Sequence, residues 1–470
     1  MAVDAALAER LLGELDTDLQ REGRLGLVKR YLDGDHDEPY APKGAKDEYK
    51  QLARKSLTNW MPNVPDAFTQ GLIADGYRGA KATSNAAPWE WWQANGLDAR
   101  QTIATRGALE YGASLVQVLP GTLATRRVPV IRPLSPLRSL AWFEDDDAAL
   151  PALGLRLRGR STDGARLFEV VDKSHVYTCA EYDERGTKRF VVSRADEHGL
   201  RLGGAPFVRF RERLDGPARG IVRPLKNVQD RINEVVFATL IAMQYASFRQ
   251  RWASGLAIPE DEDGNPVEPF KSAVDRLWVS DSTDARFGDF AQTDMSGHLS
   301  LYDSTVRTLA ALARINPNLL MGADLVNVSA EAMAQMEAQT MRKRGEYEVI
   351  FGEAWEQTLR LAAVAAGDSA ASLDLSAQIR WRDTDARSLA QTVDALGKMA
   401  QMLSVPVEAL WEMIPGVTDT DVTRWKALRD AADPLAAIGM EFQRQAAPAT
   451  PATAAPSAPD ATTDSVPAAA

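Results

Sequence analysis

Cysteine is almost absent: Cys179 is the single one in 470 residues. No disulfide can close within the chain, and the composition suits a reducing compartment. Cys179 stands in a β-rich run, where a small apolar role is expected. Positive charge is also short. Lysine and arginine number 54 against 65 acidic residues, a net charge of −11, and no basic block occurs. Gripping nucleic acid by neutralising its phosphates needs the opposite sign. That argues against a site-specific DNA binder and leaves room for a protein that lets DNA pass. Long apolar runs are missing too. The longest, "VVFATLIAM" at Val235–Met243, is too short to span a bilayer. The N-terminus shows neither the basic n-region nor the apolar h-region of a signal peptide, so no membrane anchor is expected.

Catalytic signatures are lacking as well. The four histidines, His36, His175, His198 and His298, are far apart, and none has the i, i+4 partner of a zinc helix. No Walker loop, dinucleotide fingerprint or G-x-S-x-G elbow appears. Asp145, Asp146 and Asp147 read as a solvated turn rather than a metal site. Asp261 and Asp263 before Gly264 match only half of an EF-hand loop, without its first acidic position or its terminal Glu. No cofactor and no metal is expected, and the chain does not read as an enzyme.

What is present is an ordinary globular balance, 45% hydrophobic and 25% charged, over a length that suggests roughly two to four domains. Apolar spacing predicts a helix over about 4–32, a second from about Asp47 interrupted at Pro62 and Pro65, and a third over Trp89–Tyr111. Trp89, Trp91 and Trp92 open the third as an expected packing anchor. From about 113 to 210 the texture turns to short β-rich runs separated by turn signals: "SLVQVLP", "VPVIRPL", "LRSLAWF", "LGLRLRG", "LFEVVD", "HVYTCAEY", "KRFVVSR" and "FVRFRER". This is an antiparallel β region, and the overall class is α+β. Alternating arginines 209, 211 and 213, and the pair Arg249 and Arg251, are weak as DNA contacts.

Helix returns near Pro224. Its first half is amphipathic through Leu225, Val228, Ile232 and Val235, and its second half is apolar nearly all round, so it needs neighbours on most sides. A compact insert follows. Leu299, Tyr302, Val306, Leu309 and Ala313 then mark another helix, which Asn316-Pro317 is expected to end. After a loop rich in Leu319, Leu320, Met321, Leu325 and Val326, Ser329 caps a long helix running to about Ala366, with Gly345 as its weak point. "LDLSAQIRW" reads as one strand, residues 385–440 as several helices, and the Ala/Pro/Thr-rich segment from about 446 as disordered.

Several phrases recur together in this order. "RLGLVKRYLDGDHDEPYAPKG" joins a helix to a Tyr/Gly/Pro turn. "ARKSLTNWMPNVPDAFTQGLIADGYR" carries Asn-Trp, then Val and Pro, then a close on Gly-Tyr-Arg. "GIVRPLKNVQDRINEVVFATLIAMQYASFRQRWASG" carries an Asp-Arg-Ile-Asn core. "INPNLLMG" precedes "SAEAMAQMEAQTMRKR". Over about Arg10–Met440 the chain resembles the portal proteins of tailed bacteriophages, especially long-tailed phages of actinobacteria.

The resemblance implies a mainly helical portal fold with an antiparallel β wing, two stem helices, a small α/β clip, a long helix after a tunnel loop, and a helical crown. Mapped here, 1–221 is wing, β-rich from about 113. Residues 222–247 and 299–315 are stem helices, 248–298 the clip and 316–328 the tunnel loop. Residues 329–385 are the long helix and a returning wing strand, 386–445 the crown, and 446–470 the tail. The channel set is then Asn318, Leu319, Leu320, Met321, Asp324, Leu325 and Asn327. Subunit contacts fall to Ile232, Val236, Leu240, Met243, Val306 and Leu309, and the motor-facing clip to Glu260, Asp261, Asp263 and Trp278. The implied function is a ring, typically of twelve subunits, at one capsid vertex, assembled in the host cytoplasm and carried in the virion. Double-stranded DNA passes through it without sequence reading. The implied partners are the terminase large subunit, head-completion adaptors, and the major capsid and scaffolding proteins, with no membrane. About twelve copies at −11 give on the order of −130 per ring, a field that discourages DNA from sticking. A minor capsid protein, or a nucleic-acid-processing enzyme with an unrecognised site, are the alternatives.

Overall fold

Each of the eight β-rich runs forms a strand in the computed structural model, which describes residues 3–40, 47–79, 86–123, 126–247, 251–254, 284, 286–289, 295–321, 330–382, 389–414 and 416–432. They fall into two compact units, residues 1–384 and 385–470. No described helix is long and apolar enough to cross a membrane.

The first unit opens with α1 (Ala5–Leu19) and α2 (Arg24–Asp33). The single helix expected over 4–32 is therefore two. Asp4 caps α1 by accepting from Leu7 N at 2.8 Å, and the chain turns tightly at Gly23, where a Cβ would meet the carbonyls of Thr17 and Asp18. Next come α3 (Asp47–Lys55), α4 (Asn63–Thr69) and β1 (Ala74–Arg78). The expected third helix is likewise divided, into α5 (Ala86–Ala94) and α6 (Leu97–Tyr111), because Gly96 adopts φ +61° between them.

The strands are β2 (Ala113–Leu119), the short hairpin β3 (Thr122–Leu123) and β4 (Arg126–Arg127), β5 (Val130–Leu134), β6 (Ser139–Trp142), β7 (Leu153–Arg160), β8 (Arg166–Val171), β9 (His175–Glu184), β10 (Thr187–Glu197) and β11 (Phe207–Arg211). They build a five-stranded antiparallel sheet, β10-β9-β8-β7-β6, and a three-stranded antiparallel one, β11-β2-β5. Gly154 of β7 packs where a Cβ would strike the Phe207 ring of β11, so the two sheets face each other there. Cys179 is buried in β9, and burial pushes its thiol up to about 11. Asp145 makes a local turn, accepting from Asp147 N at 3.1 Å. No cluster able to hold a metal occurs among the described residues.

The chain continues through α7 (Lys226–Ser247), β12 (Arg251–Ser254), β13 (Arg286–Asp289), α8 (Ser296–Ala313), α9 (Pro317–Met321), α10 (Ala330–Ala366), α11 (Ser369–Ser372) and β14 (Gln378–Trp381). The returning strand expected over "LDLSAQIRW" is only its last part. It pairs with β1, and Arg380 Nε donates to Asp75 Oδ1 at 3.0 Å. α10 packs on β11, β2 and α5. Trp355 contacts Trp92 at 4.9 Å and Phe210 at 4.8 Å between ring centroids, and Trp92 stacks on Trp89 at 5.4 Å. The tryptophans are thus the packing anchor that their spacing suggested.

The second unit holds α12 (Leu389–Leu403), α13 (Val407–Leu410) and α14 (Asp419–Ala432). Thr418 and Asp421 exchange hydrogen bonds at the start of α14, a capping box that satisfies two otherwise orphaned donors. Trp411 meets Trp425 edge-on at 6.1 Å.

Candidate channel and subunit-contact surfaces

The helix α7 changes character along its length. At its base four polar side chains, Lys226, Gln229, Asp230 and Asn233, interrupt the apolar face at helical spacing, and each has a partner from far away in sequence. Gln229 and Asn233 are fully buried. Gln229 accepts from Trp60 N at 3.1 Å and donates to Thr58 O at 2.6 Å, while Asn233 Oδ1 accepts from Thr58 N at 3.0 Å. Asn233 Nδ2 lies 3.0 Å from His36 Nδ1, and His36 Nε2 lies 3.0 Å from the Tyr31 carbonyl. Only the Nε2–H tautomer satisfies both contacts. Beside them Lys226 donates to Asp37 and Asp230, both at 2.7 Å, and the Tyr31 hydroxyl donates to Asp230 at 2.6 Å. The Lys226 hydrogen bond outweighs desolvation and holds the Asp37 carboxyl down at about 2. Burial, then the Asp230 contact, pushes Tyr31 above its ordinary value. Removing one member would leave a buried group unpaired, at a cost of about 1–3 kcal/mol. The network fixes the base of α7 to α2 and the 56–60 segment.

The base is also apolar core. Val228, Ile232 and Val235 are buried on α7, and Thr305, Val306, Leu309 and Ala310 on α8, which packs along α7. This corrects part of the contact set. Ile232, Val306 and Leu309 are completely covered by their own chain and leave no surface for a neighbouring subunit. Further out the cover thins. Val236 is partly buried against the core, Leu240 is half-buried, and Met243 is 51% exposed. At the matching end of α8, Leu299 and Leu301 are 59% and 53% exposed. Leu240 and Met243 also line a cleft of about 380 Å³ against Glu48, Gln51, Leu52 and Lys55 of α3.

α8 ends with Arg314 in the left-handed region, φ +58°, and Ile315 N bonds back to Ala310 O at 2.9 Å. Buried Ile315 supplies the apolar contact that usually accompanies such an end. The expected loop does not begin at once. Asn316 accepts from Asn318 N at 3.0 Å, and Pro317 starts α9, which contains Asn318, Leu319, Leu320 and Met321. Proline suits a first helical position as well as it ends a preceding helix. Leu320 is buried and Met321 packs on the core, so these two are a hydrophobic corner of their own subunit. Asp324, Leu325 and Asn327 lie outside the described residues, as do Glu260, Asp261, Asp263 and Trp278 of the insert.

The remaining singled-out groups have structural partners. His198 Nε2 lies 3.1 Å from Asp172 O, and Leu200 N donates to its Nδ1 at 3.1 Å. Arg209 stacks over Phe143, with its Cζ 3.9 Å from the ring centroid, and pairs with Asp146.

A model of the family described as "Phage portal protein, SPP1 Gp6-like" matches residues 14–435. The chain belongs to this family. The portal proteins of Mycobacterium phage D29 and Mycobacterium phage L5 are 24% and 23% identical to it, over 354 and 358 residues. Each match covers 71% of this chain and 70% of the relative. Among solved structures, a chain of the virion of a native gene transfer agent particle is similar over 81% of this portal protein and 99% of its own length, at 13% identity and a TM-score of 0.43. A chain of the neck of that particle is similar over 80% and 94%, at 12% identity and a TM-score of 0.41. As a portal protein the chain forms the channel at a capsid vertex through which DNA is packaged and ejected, and it is a structural, non-catalytic component of the virion. DNA, the terminase and the head components are its general partners. The alternatives of a minor capsid protein and a processing enzyme fall away.

Proposed function

We propose that α7 and α8 are the stem of a ring of about twelve subunits, with the insert between them as the clip that meets the terminase large subunit and later the head-completion adaptors. Residues of the first unit outside these elements form the wing, the second unit the crown, and the segment following α9 the tunnel loop. The ring assembles in the host cytoplasm with the scaffolding and major capsid proteins. The observation that carries this reading is the gradient of burial along the α7–α8 pair. Its base is sealed by core packing and a polar network. Its outer part keeps Met243, Leu299 and Leu301 exposed, Leu312 is exposed nearer the base, and exposed apolar side chains along a helix pair call for a neighbour.

The double variant Met243→Asp with Leu301→Asp tests it. Both positions are exposed in the single chain, where such changes usually cost within about 0.5 kcal/mol. A charge buried between subunits costs several kcal/mol. The variant subunit should melt as the parent does yet fail to form rings in negative-stain images. Intact rings would remove the stem assignment.

A further inference from the structure

The gap between the two facing sheets is apolar at one end and cationic at the other. Leu115, Leu134, Val171, Ala205 and Phe207 fill the apolar end. Phe207, Gln117 and Arg132 then stand in one cross-strand row on the three-stranded sheet. Opposite, on the face of β7 that bears Gly154, Arg156 pairs with Glu169 of β8 at 2.6 Å, and Arg158 shares the same carboxylate at 3.4 Å. Glu169 is thereby committed to two arginines. Arg132 is half-buried and has no ion-pair partner among the described residues. Burial first, then Arg156 and, against the one opposing charge of Glu169, Arg100 and Arg158, pull its pKa below the usual arginine value. Gln117, its cross-strand neighbour, is fully covered, and both ends of its amide lack a hydrogen-bond partner among the described residues. Arg156 and Arg158 thus share one carboxylate beside a third, unpaired guanidinium, in a chain whose net charge is −11. A partly buried cation without a counter-ion is costly, and supplying the anion removes that cost.

We propose that this recess is a docking site for an acidic peptide segment of another protein, whose carboxylate completes the Arg132 cluster. Exposed Arg100 and half-exposed Arg158 steer the segment in; Arg132, which Glu169 leaves unpaired, receives the carboxylate in the paired geometry that guanidinium favours. A carboxylate on a flexible side chain can reach between two sheets. The phosphates of a DNA duplex are carried on a broad, stiff body, and the field of an acidic chain opposes their approach. The site is separate from the stem and tunnel segments, and its test does not depend on ring formation.

Fluorescence anisotropy of a labelled hexaglutamate peptide with the full chain reads the site, with hexaglutamine and a short DNA duplex as comparison probes. Hexaglutamate should bind and hexaglutamine should not. Arg132→Gln should weaken hexaglutamate binding about tenfold or more, whereas Arg185→Gln, in the β9–β10 turn, should leave it unchanged. Because Arg132 has no ion-pair partner among the described residues, Arg132→Gln should keep or raise the melting temperature, so that lost binding is not lost folding. Absence of hexaglutamate binding by the parent would overturn the proposal. So would equal binding by Arg132→Gln, a melting temperature lowered by that change, or tighter competition from the duplex, which would make the recess a DNA-backbone site.

Discussion

Glu110 shows how one residue's burial becomes a property of the whole fold. It lies at the end of α6, where Gly112 and Gly220 let two backbone segments meet and Ile221 N donates to Leu109 O at 2.8 Å. Desolvation is the main cause that pushes its carboxyl up to about 7. Arg106 opposes the shift, and Asp66 and Asp33 add to it. An acid whose folded pKa exceeds its unfolded value binds more protons folded than unfolded, so stability falls as pH rises between the two values. The window runs from about 4.5 to about 7, and above it the ionised group costs up to about 3 kcal/mol. Glu110→Gln should therefore raise the melting temperature at pH 8 and leave it nearly unchanged at pH 4. Melting curves of parent and variant across this range check it, and parallel pH profiles would show that Glu110 is paired better than its surroundings suggest.

At the level of elements, the sequence was legible where periodicity is strong and ambiguous where one residue serves two structural signals. All eight strand runs and the α7, α8 and α10 helices stand where the apolar spacing put them. The breaks at Gly23 and Gly96 were missed because apolar residues keep their period across them. α9 was missed because Asn316-Pro317 reads as a stop, although the same pair starts a helix. Ile232, Val306 and Leu309 were misassigned for a different reason: an apolar face announces that something covers it, not whether that is the same chain or the next subunit. The polar network did have a signal, since Gln229 and Asn233 stand four apart within an apolar stripe. Gly345 carries the element-scale prediction. α10 runs through it unbroken for 37 residues, and a Cβ there would meet nothing within 4 Å. Gly345→Ala should stabilise the subunit by about 0.5–1 kcal/mol, read as a higher urea midpoint. A stable subunit that no longer forms rings would instead mark this glycine as a close approach between neighbours.

For the whole molecule, the question is how a protein with net charge −11 handles a polyanion. In the proposed ring a field of this sign would keep DNA from adhering to the wall, so a contact that regulates passage would have to be short-ranged. The segment after Met321 is the candidate, and the structure narrows which residues can serve. Leu320 and Met321 belong to the subunit's own packing, so replacing them would damage the fold and confuse the result. Replacing only residues 322–326 with a Gly/Ser linker should spare both α9 and α10 and leave ring assembly intact. Packaging or retention of DNA should fail if this segment closes on the duplex. Asp324→Lys is the sharper change. It would place about twelve positive charges around the duplex, and the attraction would slow translocation more at low salt than at high, because exposed charges are screened within about 10 Å at 0.1 M. The length of DNA protected inside capsids assembled with each variant, measured at two ionic strengths, decides between the roles. Full-length packaging by the linker variant would leave residues 322–328 as a connection between helices, and an Asp324→Lys ring insensitive to salt would place Asp324 away from the DNA path.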